Sequence, residues 1–396
     1  MQLPKTGKTH DELREVMKQA RAGDARWREG RMLSLVYYAG HDVLQTAQQA
    51  YQMFFSENGQ GRNALPSLER FEAEVVGMTA GLLCGDQAVG NVTSGGSESI
   101  LLAIKSARDW ARAERPHIAI PEMVLPVTAH PAFDKAAWYF GLKSVRTQVG
   151  EDFRADLSAI RRAVNDNTVV VVGSAPAWPH GRIDPIGEMA HIAEERGISF
   201  HVDACLGGFF LPFLRKLEYA VPDFDFRVPG VTSMSVDLHK YGFTAKGASL
   251  VLYRDQRGYA YQPFVFDWPG GRYTSPTMAG TRPGGAIAAA WAVMHYLGEA
   301  GYLRIVEKTI KTTEALIRGI NAIVGLEVLG KPDMSVFAYG SQSLDIYAVA
   351  DGLSRCGWYV NKQVTPPSIH LKVDPIHERV VETYLRDVEM VAKQVV

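Results

Sequence analysis

The stretch SVDLHKYG, residues 235–242, joins an apolar run to a polar turn that presents one lysine, Lys240. Residues 231–236 predict a strand, so that Lys240 comes shortly after its carboxyl end. A similar pattern lies earlier, where residues 198–202 predict a strand that is followed by Asp203. In open α/β sheets ligands bind beyond the carboxyl ends of the strands, so we expect both side chains at one site.

Strands and helices alternate along the middle of the chain, and this alternation predicts an α/β fold with a mainly parallel sheet flanked by helices. The run at residues 169–172 is β-branched throughout, as is typical of a strand buried on both faces. Beyond Gly285, long helical segments and short strands indicate a smaller α+β domain. The predicted parts are an N-terminal helical segment at residues 1–60, a large ligand-binding domain at 61–285 and a small C-terminal domain at 286–396.

Composition narrows the classes of function. A chain of 396 residues with a formal net charge of −1 can bury a large core, and no overall field favours nucleic acid or an anionic membrane. The longest apolar runs are strand-sized, and the first 31 residues lack the apolar core of a signal peptide. The three cysteines are widely spaced and suggest no metal site. We therefore expect a soluble cytoplasmic protein without a membrane span, a nucleic-acid partner or a bound metal.

Lys240 is a candidate nucleophile. A lysine amine forms a Schiff base only when it is unprotonated, and partial burial beside other cations lowers its pKa. His239 and Lys246 could supply such surroundings, so we expect a lowered pKa for Lys240. A solvated loop lysine is the alternative for this residue taken alone.

Three further features fit an aromatic cofactor that carries a phosphate. The glycine-rich segment at residues 94–97 lies between a predicted strand and a predicted helix, where free N–H groups bind phosphate, although a plain turn would look the same. The ring of His130 could stack on the cofactor or be structural. Asp203 could keep a pyridine nitrogen protonated or cap a helix. Their order along the chain, ending at Lys240, indicates pyridoxal 5'-phosphate (PLP).

From about residue 20 to its end, the chain resembles the sphingosine-1-phosphate lyases, in the decarboxylase-like branch of the fold-type-I PLP enzymes. The resemblance therefore covers nearly the whole chain and does not depend on a single motif. The matching stretches are EGR (29–31), VY (36–37), PSLERFEAEVV (66–76), VTSGGSESILLA (92–103), AHPAFDKAAWYFG (129–141), PHG (179–181), HVDACLGGF (201–209), SVDLHKYGFTAKGASLVLY (235–253), SPTMAGTRPGG (275–285) and PPSIH (366–370).

The resemblance implies a role for each matching residue. Lys240 would form the Schiff base, Asp203 would pair with the pyridine nitrogen, and His130 would stack on the ring, and these are the three expected catalytic residues. In such homodimers a loop reaches the neighbouring subunit's active site. The remaining expected contacts are Ser94, Gly95, Gly96 and His239 around the cofactor phosphate, Thr281 in that loop, and Tyr37, Asn58 and Lys246 at the substrate's phosphate.

One departure concerns the substrate. After the asparagine at position 58, these lyases typically continue Pro-Leu-His-Pro, and the histidine helps to bind the substrate phosphate. Here residues 58–62 read NGQGR, with Gly61 in place of that histidine. Arg62 could supply the lost cation, since arginine binds phosphate well. Alternatively, the substrate has changed.

The resemblance implies a PLP-dependent carbon–carbon lyase of sphingolipid metabolism. It would cleave the C2–C3 bond of a phosphorylated sphingoid base in a retro-aldol step, giving phosphoethanolamine and a long-chain aldehyde. The alternative is a PLP-dependent amino-acid decarboxylase. A guanidinium positioned to bind the α-carboxylate of the substrate would support this alternative. A non-catalytic protein that kept only the fold is disfavoured by the presence of Lys240 and Asp203.

Overall fold

A seven-stranded sheet forms the centre of the chain in a computed structural model, which describes residues 1–60 and 64–395. Its strands are β1 (Val89–Thr93), β2 (Glu122–Pro126), β3 (Lys143–Thr147), β4 (Thr168–Ser174), β5 (Ser199–Asp203), β6 (Ser233–Val236) and β7 (Ser249–Tyr253). Their order across the sheet is β1-β7-β6-β5-β4-β2-β3. The pairs from β6 to β3 are parallel, whereas β7 is antiparallel to both of its neighbours. The prediction of a mainly parallel sheet is confirmed.

Helices cover both faces of this sheet. In β4, Val171 belongs to one apolar cluster while Val170 and Val172 belong to another, because successive side chains of a strand point to opposite faces. All of β4 is buried, as its β-branched sequence predicts. The α-helices in the first 260 residues are α1 (His10–Ala20), α2 (His41–Met53), α3 (Pro66–Leu82), α4 (Gly96–Glu114), α5 (Ala132–Phe140), α6 (Leu157–Ala163), α7 (Ile186–Glu195), α8 (Leu211–Lys216) and α9 (Gln256–Tyr259).

A two-stranded hairpin that the sequence analysis missed follows α9. Its strands are β8 (Phe264–Trp268) and β9 (Gly271–Ser275), and all five residues of β8 are exposed. The turn Pro269-Gly270 between two aromatic-rich runs is a hairpin signal that could have been recognised.

The C-terminal part is a smaller α+β unit, as predicted. Its antiparallel sheet has the order β10-β11-β13-β12. The elements are α10 (Gly284–Asn321), β10 (Glu327–Val328), β11 (Val336–Gly340), α11 (Ile346–Arg355), β12 (Asn361–Val364), β13 (Pro367–Lys372) and α12 (Val381–Val395). Helix α10 kinks at Gly298, which has a positive φ of 52°.

Helix α10 connects the two parts of the molecule. Its first half contributes Ala289 and Val293 to the core of the large sheet, while Leu316 and Ile320 near its end pack into the core of the small sheet. The predicted division at residue 285 stays a prediction, because the helix that begins there is shared by both cores.

The segment before α2 also bridges the two sheets. Leu33 is buried in the small-sheet core, and its carbonyl oxygen accepts a 2.8 Å hydrogen bond from the N–H of Lys372 in β13. Helix α1, by contrast, has no buried residue. The segment therefore leads the chain past β13 and brings Tyr37 to the edge of the large sheet.

No helix within the described residues combines the length and the apolar character needed to cross a membrane.

Candidate active site

A cavity of about 250 Å³ lies where the carboxyl ends of β4, β5 and β6 face the small sheet. It is lined by six residues that the sequence analysis had singled out, namely Tyr37, His130, Asp203, His239, Lys240 and Lys246. Parallel strands end at the same edge of a sheet, and this explains why residues far apart in sequence meet here.

Lys240 is paired with a carboxylate that the sequence analysis quoted but gave no role. Its Nζ lies 2.9 Å from Oδ2 of Asp237, which is buried one residue after the end of β6. Burial lowers the pKa of Lys240, but Asp237 and the weaker effects of Cys205, Tyr37 and Asp203 together outweigh burial and hold this pKa above its ordinary value. The predicted lowering of the Lys240 pKa was therefore wrong for the protein without a cofactor. The prediction took account of the neighbouring cations but not of the Asp237 carboxylate on the same turn.

Asp203 ends β5 and lines the cavity. Its Oδ1 accepts a hydrogen bond from the Cys205 N–H at 3.1 Å and one from the Ser235 hydroxyl at 3.3 Å. Ser235 belongs to the neighbouring strand β6, so the sheet itself fixes the direction of the carboxylate.

His130 has a neutral ring that is open to the cavity. Its Nδ1 accepts a 3.1 Å hydrogen bond from the Ala132 N–H at the start of α5, so the ring proton lies on Nε2. Partial desolvation lowers the pKa of His130 and favours this uncharged form. A neutral aromatic ring can stack on a pyridine.

The loop from Ser94 to α4 approaches Asp237 closely. A Cβ at Gly96 would lie 2.8 Å from both carboxylate oxygens of Asp237 and 2.9 Å from Sγ of Cys205, so that only glycine fits. A Cβ at Gly95 would meet only the His239 ring, at 3.7 Å. Because the loop opens a 19-residue helix, its backbone presents the positive end of the helix dipole to an anion.

Glu98, which the sequence analysis did not identify, connects this loop to the loop after β9. Its Oε2 accepts a 2.6 Å hydrogen bond from the Ser94 N–H, and its Oε1 accepts a 2.7 Å hydrogen bond from the Met278 N–H. The buried carboxylate thereby holds both loops at the N-terminus of α4.

Five of the predicted residues that the structure describes do not line this cavity, namely Asn58, Ser94, Gly95, Gly96 and Thr281. Thr281 lines a separate narrow cleft next to Ser94 and Glu98. Asn58 braces a loop, because its Oδ1 accepts from the N–H groups of Gln60 and Arg282, both at 3.0 Å. Arg62 lies outside the described residues, as does Gly61.

The other end of the cavity is cationic. Two lysines lie close to the Tyr37 ring, with the Nζ of Lys246 at 5.2 Å from the ring centroid and that of Lys372 at 4.3 Å. Desolvation and the nearby charges of Lys372 and Lys240 lower the pKa of Lys246 to about 8. Sequence reasoning missed Lys372, although a lysine inside the apolar strand LKV is an available signal.

These residues fit PLP. The cavity combines an amine at Lys240, a carboxylate at Asp203 and a neutral ring at His130, with a helix N-terminus beside them. Oδ1 of Asp237 is buried without a hydrogen-bond partner among the described residues, which is typical of a site that a ligand completes. Residues 1–60 and 64–395 contain no group of three or more side chains placed to hold a metal.

We predict that Gly96→Ala weakens PLP binding, since the added methyl group would push Asp237 and Cys205 into the cavity. The matched variant Gly95→Ala should bind PLP nearly as tightly as the wild type, because its Cβ has room. Fluorescence titration of both apoproteins with PLP measures the dissociation constants. Equal affinities for the two variants would contradict the described geometry.

Comparison with known proteins assigns the chain to a family. Residues 70–340 match the family model of the pyridoxal-dependent decarboxylase conserved domain. The sphingosine-1-phosphate lyase of Arabidopsis thaliana is 48% identical over 386 residues, which cover 95% of this chain and 71% of that protein. A probable L-tyrosine/L-aspartate decarboxylase of Methanothermobacter thermautotrophicus is 32% identical, over 91% of this chain and 97% of that protein.

The fold agrees with these matches. The solved structure of a sphingosine-1-phosphate lyase from Burkholderia pseudomallei superposes with a TM-score of 0.96 and is 38% identical, covering 100% of this chain and 93% of that one. The described site and these similarities together establish the cofactor as PLP. The chain therefore belongs to the PLP-dependent decarboxylase family and, within it, to the sphingosine-1-phosphate lyases.

Proposed function

We propose that this chain is a carbon–carbon lyase that cleaves the C2–C3 bond of a phosphorylated sphingoid base, releasing phosphoethanolamine and a long-chain aldehyde. The observation that carries the proposal is the distribution of charge in the cavity. Lys240 lies beside Asp237 and Asp203, whereas Lys246 lies at the opposite end with no carboxylate of the described residues within ion-pair distance. An amine-capturing group and a free cation in one cavity suit an amine that carries a phosphate.

Lys240 would hold PLP covalently through the aldehyde carbon, the position that the amine of the substrate would take in its turn. Asp203 would keep a proton on the pyridine nitrogen, and the neutral His130 ring would stack on the cofactor. Bound PLP supplies the electron sink for the pair of electrons that remains on C2 when the bond breaks. Because Asp203 is buried, the low dielectric of the site would reduce the screening of its interaction with the ring nitrogen.

Lys246 provides the phosphate contact. Its Nζ currently donates to the carbonyl oxygens of Leu35 and His239, at 3.2 and 3.3 Å, and both are neutral acceptors that a phosphate oxygen can replace. Charge-assisted hydrogen bonds to phosphate are about twice as strong as neutral ones. The contributions of Tyr37, Asn58 and Arg62 to substrate binding, and that of Thr281 to the cofactor, remain proposals of the same kind.

The nature of the cations argues against the decarboxylase alternative. Within the described part of the chain, the cavity is lined by three lysines and by no arginine, so the guanidinium expected for an α-carboxylate is not found there. The decarboxylases share the fold and the cofactor framework, and the substrate end distinguishes the two reactions.

We also propose a homodimer. The hairpin β8–β9 exposes Phe264, Phe266 and Trp268, each more than half exposed, directly before the loop that contains Thr281. Apolar side chains displayed together in this way are typical of a protein–protein interface. A cytoplasmic location stays a prediction.

A product assay tests the proposed reaction. Incubation of the PLP-loaded enzyme with phosphorylated sphingoid bases should yield an aldehyde and phosphoethanolamine, and amino acids should yield no carbon dioxide. Lys240→Ala should abolish turnover, because no amine remains to capture the cofactor. Release of carbon dioxide from an amino acid without aldehyde formation would establish the decarboxylase instead.

The pH dependence tests Lys246. Its phosphate contact requires the protonated amine, so kcat/KM for the phosphorylated substrate should fall as the pH rises through about 8, whereas an unphosphorylated analogue should show no such decrease. Lys246→Ala should raise KM for the phosphorylated substrate about tenfold and remove this decrease. Equal effects of the substitution on both substrates would exclude Lys246 from the phosphate site.

A further inference from the structure

Lys372 and Asp374 form an ion pair at the end of β13, and both side chains are almost completely buried, at 2% and 1% exposure. Burying two charges is expensive, and an apolar pair of similar size is often at least as stable. This pair therefore calls for a role other than stability. Its position next to the cavity indicates where to look for that role.

The pair holds the backbone on either side of Tyr37. Lys372 donates from Nζ to the carbonyl oxygen of Val36, and Asp374 accepts at Oδ2 from the N–H of Tyr38 at 3.1 Å. These two hydrogen bonds fix residues 36–38 against the small sheet. The Nζ of Lys372 also lies 4.3 Å from the centroid of the Tyr37 ring, within the range of a cation–π interaction.

Lys246 approaches the same ring, at 5.2 Å from the centroid. Two ammonium groups around one ring repel each other, and an anion bound between them would relieve this repulsion. Lys372 is the nearby charge with the largest effect on Lys246, whose pKa is lowered by desolvation first and by Lys372 next. The charged or titratable groups that face Lys246 are Lys372, Lys240, Asp237, Asp374, His239 and Tyr37.

We propose that Lys372, anchored by Asp374, is a positioning residue of the substrate's anion site: it fixes Tyr37 and places a second positive charge beside Lys246. The anion would thus meet two lysines of the cavity, Lys246 and Lys372, of which Lys372 is held by a buried ion pair. Identifying this anion as the phosphate of the substrate rests on the proposed function. The geometry of the two lysines does not depend on it.

Calorimetric titration of the PLP-loaded enzyme with inorganic phosphate tests the inference without turnover. In Lys372→Met/Asp374→Asn both charges are gone, while the asparagine can still accept from Tyr38. The phosphate Kd should rise about tenfold. In the wild type, phosphate affinity should fall as the pH passes about 8, and in the double variant this fall should move to higher pH, because Lys372 lowers the pKa of Lys246 more than Asp374 raises it.

The chain offers a matched control on the neighbouring strand. Lys362 in β12 pairs with Asp351 at 2.5 Å and lies 5.7 Å from the Tyr347 ring, away from the cavity. Lys362→Met/Asp351→Asn should leave phosphate binding and its pH dependence unchanged. Lys372→Arg, which keeps the charge, should bind phosphate within about threefold of the wild type, since charge and donors persist.

A folded double variant with wild-type phosphate affinity and pH dependence would overturn the inference. If the double variant fails to fold, Lys372→Gln replaces it, because glutamine retains N–H donors for Val36 and Asp374. The same two measurements, phosphate affinity and its pH dependence, then test the inference. Absence of phosphate binding to the wild type would overturn the anion site as a whole. Phosphate binding that depends on Lys372, in an enzyme that forms no aldehyde, would refute the proposed reaction and leave this inference standing.

Discussion

The ion pair between Lys240 and Asp237 is the interaction around which the site is organised. Its two members lie on one turn at the end of β6, with Nζ and Oδ2 only 2.9 Å apart and the carboxylate buried. The glycine-rich loop can approach this carboxylate only because Gly96 lacks a side chain. The pair therefore sets the position of the lysine, the path of the loop at the start of α4 and the volume that remains for the cofactor.

This pair also defines what cofactor capture requires. Asp237 holds Lys240 in its charged form, whereas attack on an aldehyde requires the neutral amine. The proton must therefore leave as the cofactor binds. His239, whose Nε2 is 3.8 Å from the Asp237 carboxylate, then stands next to a negative charge that has lost its partner. Positive charge prevails at the far end of the cavity, where Lys246 and Lys372 both lie near Tyr37. The site thus runs from an acidic cofactor end to a basic substrate end.

Much of the fold and the cofactor end could be predicted from the sequence. The runs that end near Asp203 and Lys240 are strands β5 and β6, and parallel strands bring their carboxyl ends to one edge. Local patterns carry such information because they depend on neighbouring residues. The substrate end depends on distant ones: Lys372 comes from a strand of the small sheet, and its contact with Val36 joins positions 336 residues apart. The pKa shift of Lys240 was wrongly predicted for a related reason. Its direction depends on which side chain of the turn lies closest to the amine, and the sequence does not show this.

Mapping the lysine that carries the cofactor tests the central claim most directly. Borohydride reduction of the PLP-loaded protein makes the bond to the lysine permanent, and mass spectrometry of the resulting peptides locates it. The structure offers three lysines around one cavity, Lys240, Lys246 and Lys372. We predict that the pyridoxyl group is found on Lys240 alone. Its recovery on Lys246 or Lys372 would contradict the assignment of the cofactor end and the substrate end.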